Sequence, residues 1–501
     1  MRWLPLTAAG ALALTLLASG GLAPTRAAAA PTLNVAVSTD PAGFDPQATA
    51  AASTFEITFN IYDTLATVDP KGNLVPDLAT GWSVSDGGRT WTFRLRSGVR
   101  FSDGTALTSQ VVKASFERLL SKAEASPWQP LYADIASIST PSPTVVQFHL
   151  SAPSAPFLAN VASPWAAIVD PQAPDLAQHP VGTGPYELLS YVPGQEVTLV
   201  RNPYDWRHGI PAIPKVVFHI VPDPQTQLID LKTGEVQAVP GIAPQDVAAL
   251  KGAPGIRVVT GPSPFIQVLA MNEAWGPLKS LLVRRAINYA VNRQAVIQGA
   301  FFGYAVPIGT HMTPASPYYV NLTGMYPYNV AKAKALLAQA GYPHGFSVTI
   351  TAPSNYEEHV RTAEIIAQEL SAVGIRAQVV QVPWATWLSK VFMGRQYQMT
   401  VIAHTAKLDP DTLLSIYEST NPQDYMNYRS PAYDALIERA RTTTVLSVRR
   451  ALYAQAQRML AENATAVYLD APDTIVAEST RLSPWPIYPI DVLPVAYLRM
   501  R

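Results

Sequence analysis

The 501-residue chain contains no cysteine, which removes disulfides, thiolate metal ligands and a cysteine nucleophile together. Its eight histidines are scattered without the spacing a protein-built metal site needs. The sequence holds no Gly-x-Ser-x-Gly elbow, no His-Glu-x-x-His pair and no Walker loop. Gly182-Thr183-Gly184 lacks the rest of a dinucleotide fingerprint and reads as a turn. Asp409-Pro410-Asp411 offers two nearby carboxylates, but reads better as a helix cap with proline at the first helical position. Catalytic residues, a metal and a cofactor are therefore not expected, and the chemistry left is that of binding. The run Thr400-Val401-Ile402-Ala403-His404-Thr405-Ala406 reads as a strand. Ligands of open α/β sheets lie at the carboxyl ends of strands, which makes His404 and Thr405 the first-choice polar contacts; the rival reading of His404 is packing.

The elements that must position such contacts follow from periodicity. Up to about Pro264 the chain is strand-rich: Trp91–Arg96 alternates like a half-buried strand, and Val145–Leu150 is a second. From about Phe265 helices alternate with strands. Val283, Ala286, Ile287, Ala290 and Val291 share one helical face, with Arg284, Arg285 and Asn292 outside it. Asn329 caps a helix to Ala340, and a third helix spans Glu357 to Val373, stopped at Gly374. Extended segments at Ser347–Ile350 and Arg376–Val380 flank this third helix, an order that predicts a parallel α/β unit.

Composition bounds the rest. Residues 1–29 read as a secretory signal peptide, with Arg2 at the start, an apolar run from Ala8 to Gly20 and small residues before the cut. Losing Arg2 and Arg26 would leave 34 basic against 36 acidic residues, a balance that speaks against nucleic acid as a partner. No cysteine is present to carry a lipid anchor, so a freely diffusing periplasmic protein is expected, not embedded in the membrane and monomeric. A mature chain of about 470 residues calls for two or three domains.

The run from Leu78 to Gly104, built around Gly81-Trp82, Asp86-Gly87-Gly88, Trp91-Thr92-Phe93 and Phe101-Ser102-Asp103-Gly104, resembles the peptide, opine and nickel solute-binding family of ABC importers. Further blocks agree in order: Pro180–Tyr186 leading to Arg201-Asn202-Pro203-Tyr204, then Val283–Ala290, then Ala331–Leu337. The resemblance implies an α/β protein with the two-lobed type II periplasmic-binding fold and an extra subdomain inserted in lobe I. Mapped onto this chain, lobe I is 31–65, 185–265 and 480–501, the insertion 66–184, and lobe II 266–479. It implies capture of a peptide-like or other small polar ligand for ABC permease subunits. The alternatives are a ligand-sensing partner of a chemoreceptor, a nickel-chelate or opine binder and, last, a periplasmic hydrolase. The motif blocks themselves read as structural, through turn glycines and a buried Trp91.

The resemblance also implies site residues. Dipeptide-binding members pair a strand-end arginine with the ligand carboxylate and an aspartate with its ammonium. This sequence departs at both positions, with Pro353 and Ala406 there instead. Arg361 projects from the helix about two turns beyond the strand end and reads as a solvated residue. A neutral or charge-masked ligand is therefore expected, because unpaired buried charges cost several kcal/mol each. Aromatic walls are expected from Trp384, Trp485 and Tyr488, with Ser38, Thr39, Asn60 and Tyr62 bordering the cleft from lobe I.

Overall fold

The computed structural model describes residues 31–405 and 407–501; the expected signal peptide and Ala406 lie outside the described residues. Among the described residues no helix is long and apolar enough to cross a membrane.

A twelve-stranded sheet forms the spine of two lobes. Its second-lobe half runs Arg376–Val382, Ser347–Pro353, Met399–Thr405 and Phe265–Met271. Its first-lobe half runs Ala238–Pro240, Thr32–Val37, Lys215–Ile220, Glu196–Arg201 and Tyr186–Val192. One 14-residue strand, Ala466–Ser479, belongs to both. Its Ala466–Asp470 part pairs with Phe265–Met271, and its Asp473–Ser479 part with Ile256–Pro262. Only Ser263 and Pro264 separate Ile256–Pro262 from Phe265–Met271, so two short crossings join the lobes.

Local chemistry explains the elements. Val145–Leu150 alternates half-buried and buried along its length, as a strand with one solvated face must. It joins Thr90–Leu95, Ala79–Ser85 and Ile135–Ser142 in a separate four-stranded sheet over its own core of Trp91, Phe93, Phe116 and Phe148. The helix Val330–Gln339 starts where the Asn329 side chain accepts from Lys332 N at 2.9 Å, replacing a backbone partner the first turn lacks. The helix Glu357–Ser371 ends ahead of Gly374, whose φ of +87° a residue with a side chain rarely adopts. Its inner face, with Val360, Ala363, Ile366 and Leu370, covers the sheet, each large aliphatic group contributing about 1.5–3 kcal/mol. Ser347–Pro353 and Arg376–Val382 pair in parallel on either side of it, as the strand-helix-strand order requires.

Arg284 departs from expectation. It is buried rather than outside the apolar face, because Glu273 at 3.0 Å and the carbonyls of Leu278 and Asn463 supply its partners. Asp409 and Asp411 are also committed structurally. Asp409 accepts from Asp411 N at 2.8 Å ahead of the helix Asp411–Leu414 and pairs with Arg449 at 2.6 Å, while Asp411 pairs with Arg441 at 3.1 Å.

Candidate functional site

Between the lobes lies a cavity of about 790 Å³, within the range that holds small organic ligands. Lobe I contributes the end of Thr32–Val37, the helix Ala52–Thr58 and the return segment from Trp485 to Leu493. Lobe II contributes the start of Phe265–Met271, the first turn of Glu357–Ser371, Trp384 and the end of Met399–Thr405. The crossing strand adds Pro472 to Val476. Neighbouring contacts tie the lobes at the rim: Leu408 packs against Tyr488 and Val492, and Ala155 N donates to Arg441 O at 2.9 Å.

Five of the residues named from sequence meet here: Ser38, Trp384, Thr405, Trp485 and Tyr488. Trp384 is 37 % exposed, with one face stacked on Trp387 at 5.2 Å and Tyr356 edge-on at 5.6 Å. The others are placed elsewhere. The ring of His404 is occupied inside lobe II, its Nδ1 against His311 Nε2 and its Nε2 against Tyr425 OH, both at 3.1 Å. Tyr417 OH completes this relay on His311 Nδ1 at 2.8 Å. Burial pushes His404 down to about 4 and His311 well below the ordinary histidine value, so both are neutral hydrogen-bonding groups rather than cleft contacts. Asn60 is buried and spends its amide on the Leu493 and Ile57 carbonyls. Tyr62 packs against Gly182, where a Cβ would lie 2.0 Å from Ile61 O. Thr39 points to Ser38 Oγ at 3.4 Å and does not line the cavity. Pro353 ends its strand buried and does not line the cavity, and Ala406 lies outside the described residues.

Several cavity residues escaped the sequence reading. Gln267 is 0 % exposed; its Oε1 accepts from Thr362 Oγ1 at 3.1 Å and its Nε2 has no partner. A lone amide within the apolar run Phe265-Ile266-Gln267-Val268-Leu269 was the signal for it. His359 is 4 % exposed with neither ring nitrogen hydrogen-bonded, and burial, aided by His404, lowers it to about 4. On the opposite wall burial pushes Glu56 up to about 7, and the charge of Asp491 adds to the shift. Asp491 still opens to water, yet the surrounding protein raises its carboxyl, with Lys407 pulling the other way. Burial likewise raises Glu358 and Asp473.

Residues 73–425 match the bacterial extracellular solute-binding proteins, family 5 Middle. The chain belongs to this family. Glutathione-binding protein GsiB of Escherichia coli O1:K1 is 34 % identical over 325 residues, covering 64 % of this chain and 63 % of that protein. DppA of Helicobacter pylori, solved with the peptide STSA, superposes with a TM-score of 0.76 at 28 % identity, covering 94 % of this chain and 98 % of that one. HbpA2 of Haemophilus parasuis gives a TM-score of 0.86 at 25 % identity over 94 % and 100 % of the two chains. These likenesses carry the two-lobed type II fold across nearly the whole family 5 chain, and GsiB and DppA are named as binding proteins.

Proposed function

We propose that this family 5 protein is the extracytoplasmic capture component of an ABC importer, holding one small polar or peptide-like solute between its lobes. The observation that carries the reading is the 790 Å³ cavity, walled by both lobes and floored by the strand common to them. A solute that touches both walls binds the closed arrangement better than the open one, and that difference alone drives closure. In this reading residues 31–65, 185–265 and 480–501 move as lobe I with 66–184 inserted, and 266–479 as lobe II, flexing at Ser263-Pro264 and near Asp470–Asp473. The rim contacts of Leu408 and of Ala155 with Arg441 form as the lobes meet, and a permease reads the closed face.

Relatives bearing glutathione and peptides in their names, together with a cavity sized for them, support an organic solute over a free ion. Capture without turnover is tested by calorimetry and melting over a panel of peptides and other polar metabolites. One compound that raises the melting temperature at 1:1 stoichiometry and is recovered unchanged is the expected result. Chemical conversion of that compound, or no stabilisation by any of the panel, overturns the proposal.

A further inference from the structure

Resting on this capture reading, we propose that the solute is an organic cation, an amine, guanidine or quaternary ammonium, which also carries a carbonyl or hydroxyl oxygen and lacks a free carboxylate.

Three independent features of the cavity converge on that chemistry. The first is charge. Carboxylates face the cavity from each side: Glu56 and Asp491 in lobe I, Asp473 on the crossing strand and Glu358 in lobe II. The one cationic side chain among the described lining residues, Arg361, is held by Glu357 at 2.5 Å. Lys407 pulls on Asp491 electrostatically, yet burial still holds the Asp491 carboxyl above its ordinary value. A ligand carboxylate entering this lining meets like charges in a partly desolvated space, whereas a ligand cation gains a partner for groups that lack one.

The second feature is aromatic. Trp384 at 37 % exposure and Phe265 at 38 % present large rings to the cavity from lobe II, and Trp485 and Tyr488 wall it from lobe I. Rings next to carboxylates form the kind of box that favours ammonium and guanidinium groups, since the negative ring face attracts a cation within about 6 Å.

The third is the pair of buried polar groups without partners. Gln267 Nε2 and the ring nitrogens of His359 line the same cavity, and a buried donor left unpaired costs about 1–3 kcal/mol. An oxygen on the ligand supplies the acceptor. Among the described lining residues the cavity offers carboxylates for a positive group, while its Arg361 is already held by Glu357 and is not free for a negative one. The neutral ligand expected from sequence is revised on that ground.

The pH response follows from Glu56, which lines the cavity with Asp491 and is raised by burial and by that neighbour's charge, while Lys407 acts on Asp491 in the opposite sense. Burial keeps Glu56 protonated below about 7 in the empty cleft, and a bound cation favours its ionised form, so binding releases a proton and tightens as pH rises through 7.

The test is calorimetry on the intact chain with matched probes: arginine amide against arginine, Ala-Lys amide against Ala-Lys, and glutathione as the anionic control. The amides are expected to bind about tenfold or more tightly than their acid twins, with glutathione silent, and their affinity to fall as the pH drops below about 7. Glu56→Gln with Asp491→Asn should cost the amides about tenfold in affinity while leaving the melting temperature equal or higher. Should that double variant fail to fold, the pH series on the unmodified chain still decides. Tighter binding of glutathione, of an acid twin or of an uncharged peptide overturns the cation proposal while leaving solute capture intact. Silence across every probe and the wider metabolite panel sinks both.

Discussion

Two regions of this molecule gather carboxylates out of water, and they use them in opposite ways. At the junction between the inserted sheet and lobe I, Asp63 accepts from Thr183 Oγ1 at 2.9 Å, from Trp206 Nε1 at 3.0 Å and from Arg207 at 2.8 Å. Asp77 accepts from Thr64 N at 3.0 Å. Burial, with Asp63 adding, pushes Asp77 up to about 7, against the pull of Arg207. Three carboxylates in turn hold the Arg207 guanidinium above its ordinary value despite burial. The turn Gly182-Thr183-Gly184 packs onto Ile61 so closely that no side chain fits at either glycine, and Asn202 Nδ2 ties Gly184 O at 2.8 Å. The sequence motifs that stand out most are spent here, on partners inside the chain. In the interlobe cavity Gln267 and His359 are as deeply buried but hold nitrogens with no hydrogen-bond partner, and the half-buried Glu56 is raised with no cation closing on it. A buried polar group answered from within is architecture; one left unanswered beside a cavity is a place for a guest.

The strongest way to break that contrast is at the junction. Arg207→Ala leaves Asp63 and Asp77 buried without their cation and is expected to cost about 3–5 kcal/mol in urea unfolding, with the solute affinity of the folded chain unchanged. A stable Arg207→Ala protein would erase the distinction. In the cleft the effects reverse. Trp384→Ala should lower solute affinity about tenfold, roughly 1.4 kcal/mol, and barely move the melting temperature, because the ring is already 37 % exposed. Replacing Gln267 with Leu together with Thr362→Val removes both ends of their mutual hydrogen bond, and stability should change by about 1 kcal/mol or less while affinity drops. A loss of stability larger than the loss of affinity would make Gln267 architecture after all. The smallest effect is the pH dependence of Glu56→Gln. A carboxyl whose folded pKa lies above its unfolded value stabilises the fold below the unfolded pKa and loses that contribution as pH rises through the folded one. The variant should match the parent near pH 4 and gain on it as pH rises toward 8, by about 1 kcal/mol because water screens this half-buried carboxyl, read by thermal melts without ligand.

Much of the frame was legible in the sequence because local rules sufficed. The Asn329 cap, the stop at Gly374 and the alternation of Val145–Leu150 each depend on a few adjacent residues. The crossing made by Ala466–Ser479 was not legible in local patterns, since it depends on pairings with strands hundreds of residues earlier in the chain. In the site, Trp384, Trp485 and Tyr488 were anticipated as aromatic walls. His404 was not separable from Thr405 on strand position alone; its rotation toward His311 and Tyr425 is decided by two residues brought in from other segments. Asn60 and Tyr62 pack on the turn Gly182-Thr183-Gly184, while Glu56, one turn earlier on the same stretch, reaches the cavity instead.

The central claim, that one solute occupies the interlobe cleft, is tested most directly by native mass spectrometry of the protein purified from its host without unfolding. A chain carrying Trp384→Ala, Gln267→Leu and Thr362→Val serves as the comparison. The account predicts a single small adduct per parent chain and none on the triple variant. An adduct retained equally by both, or by neither, would contradict it.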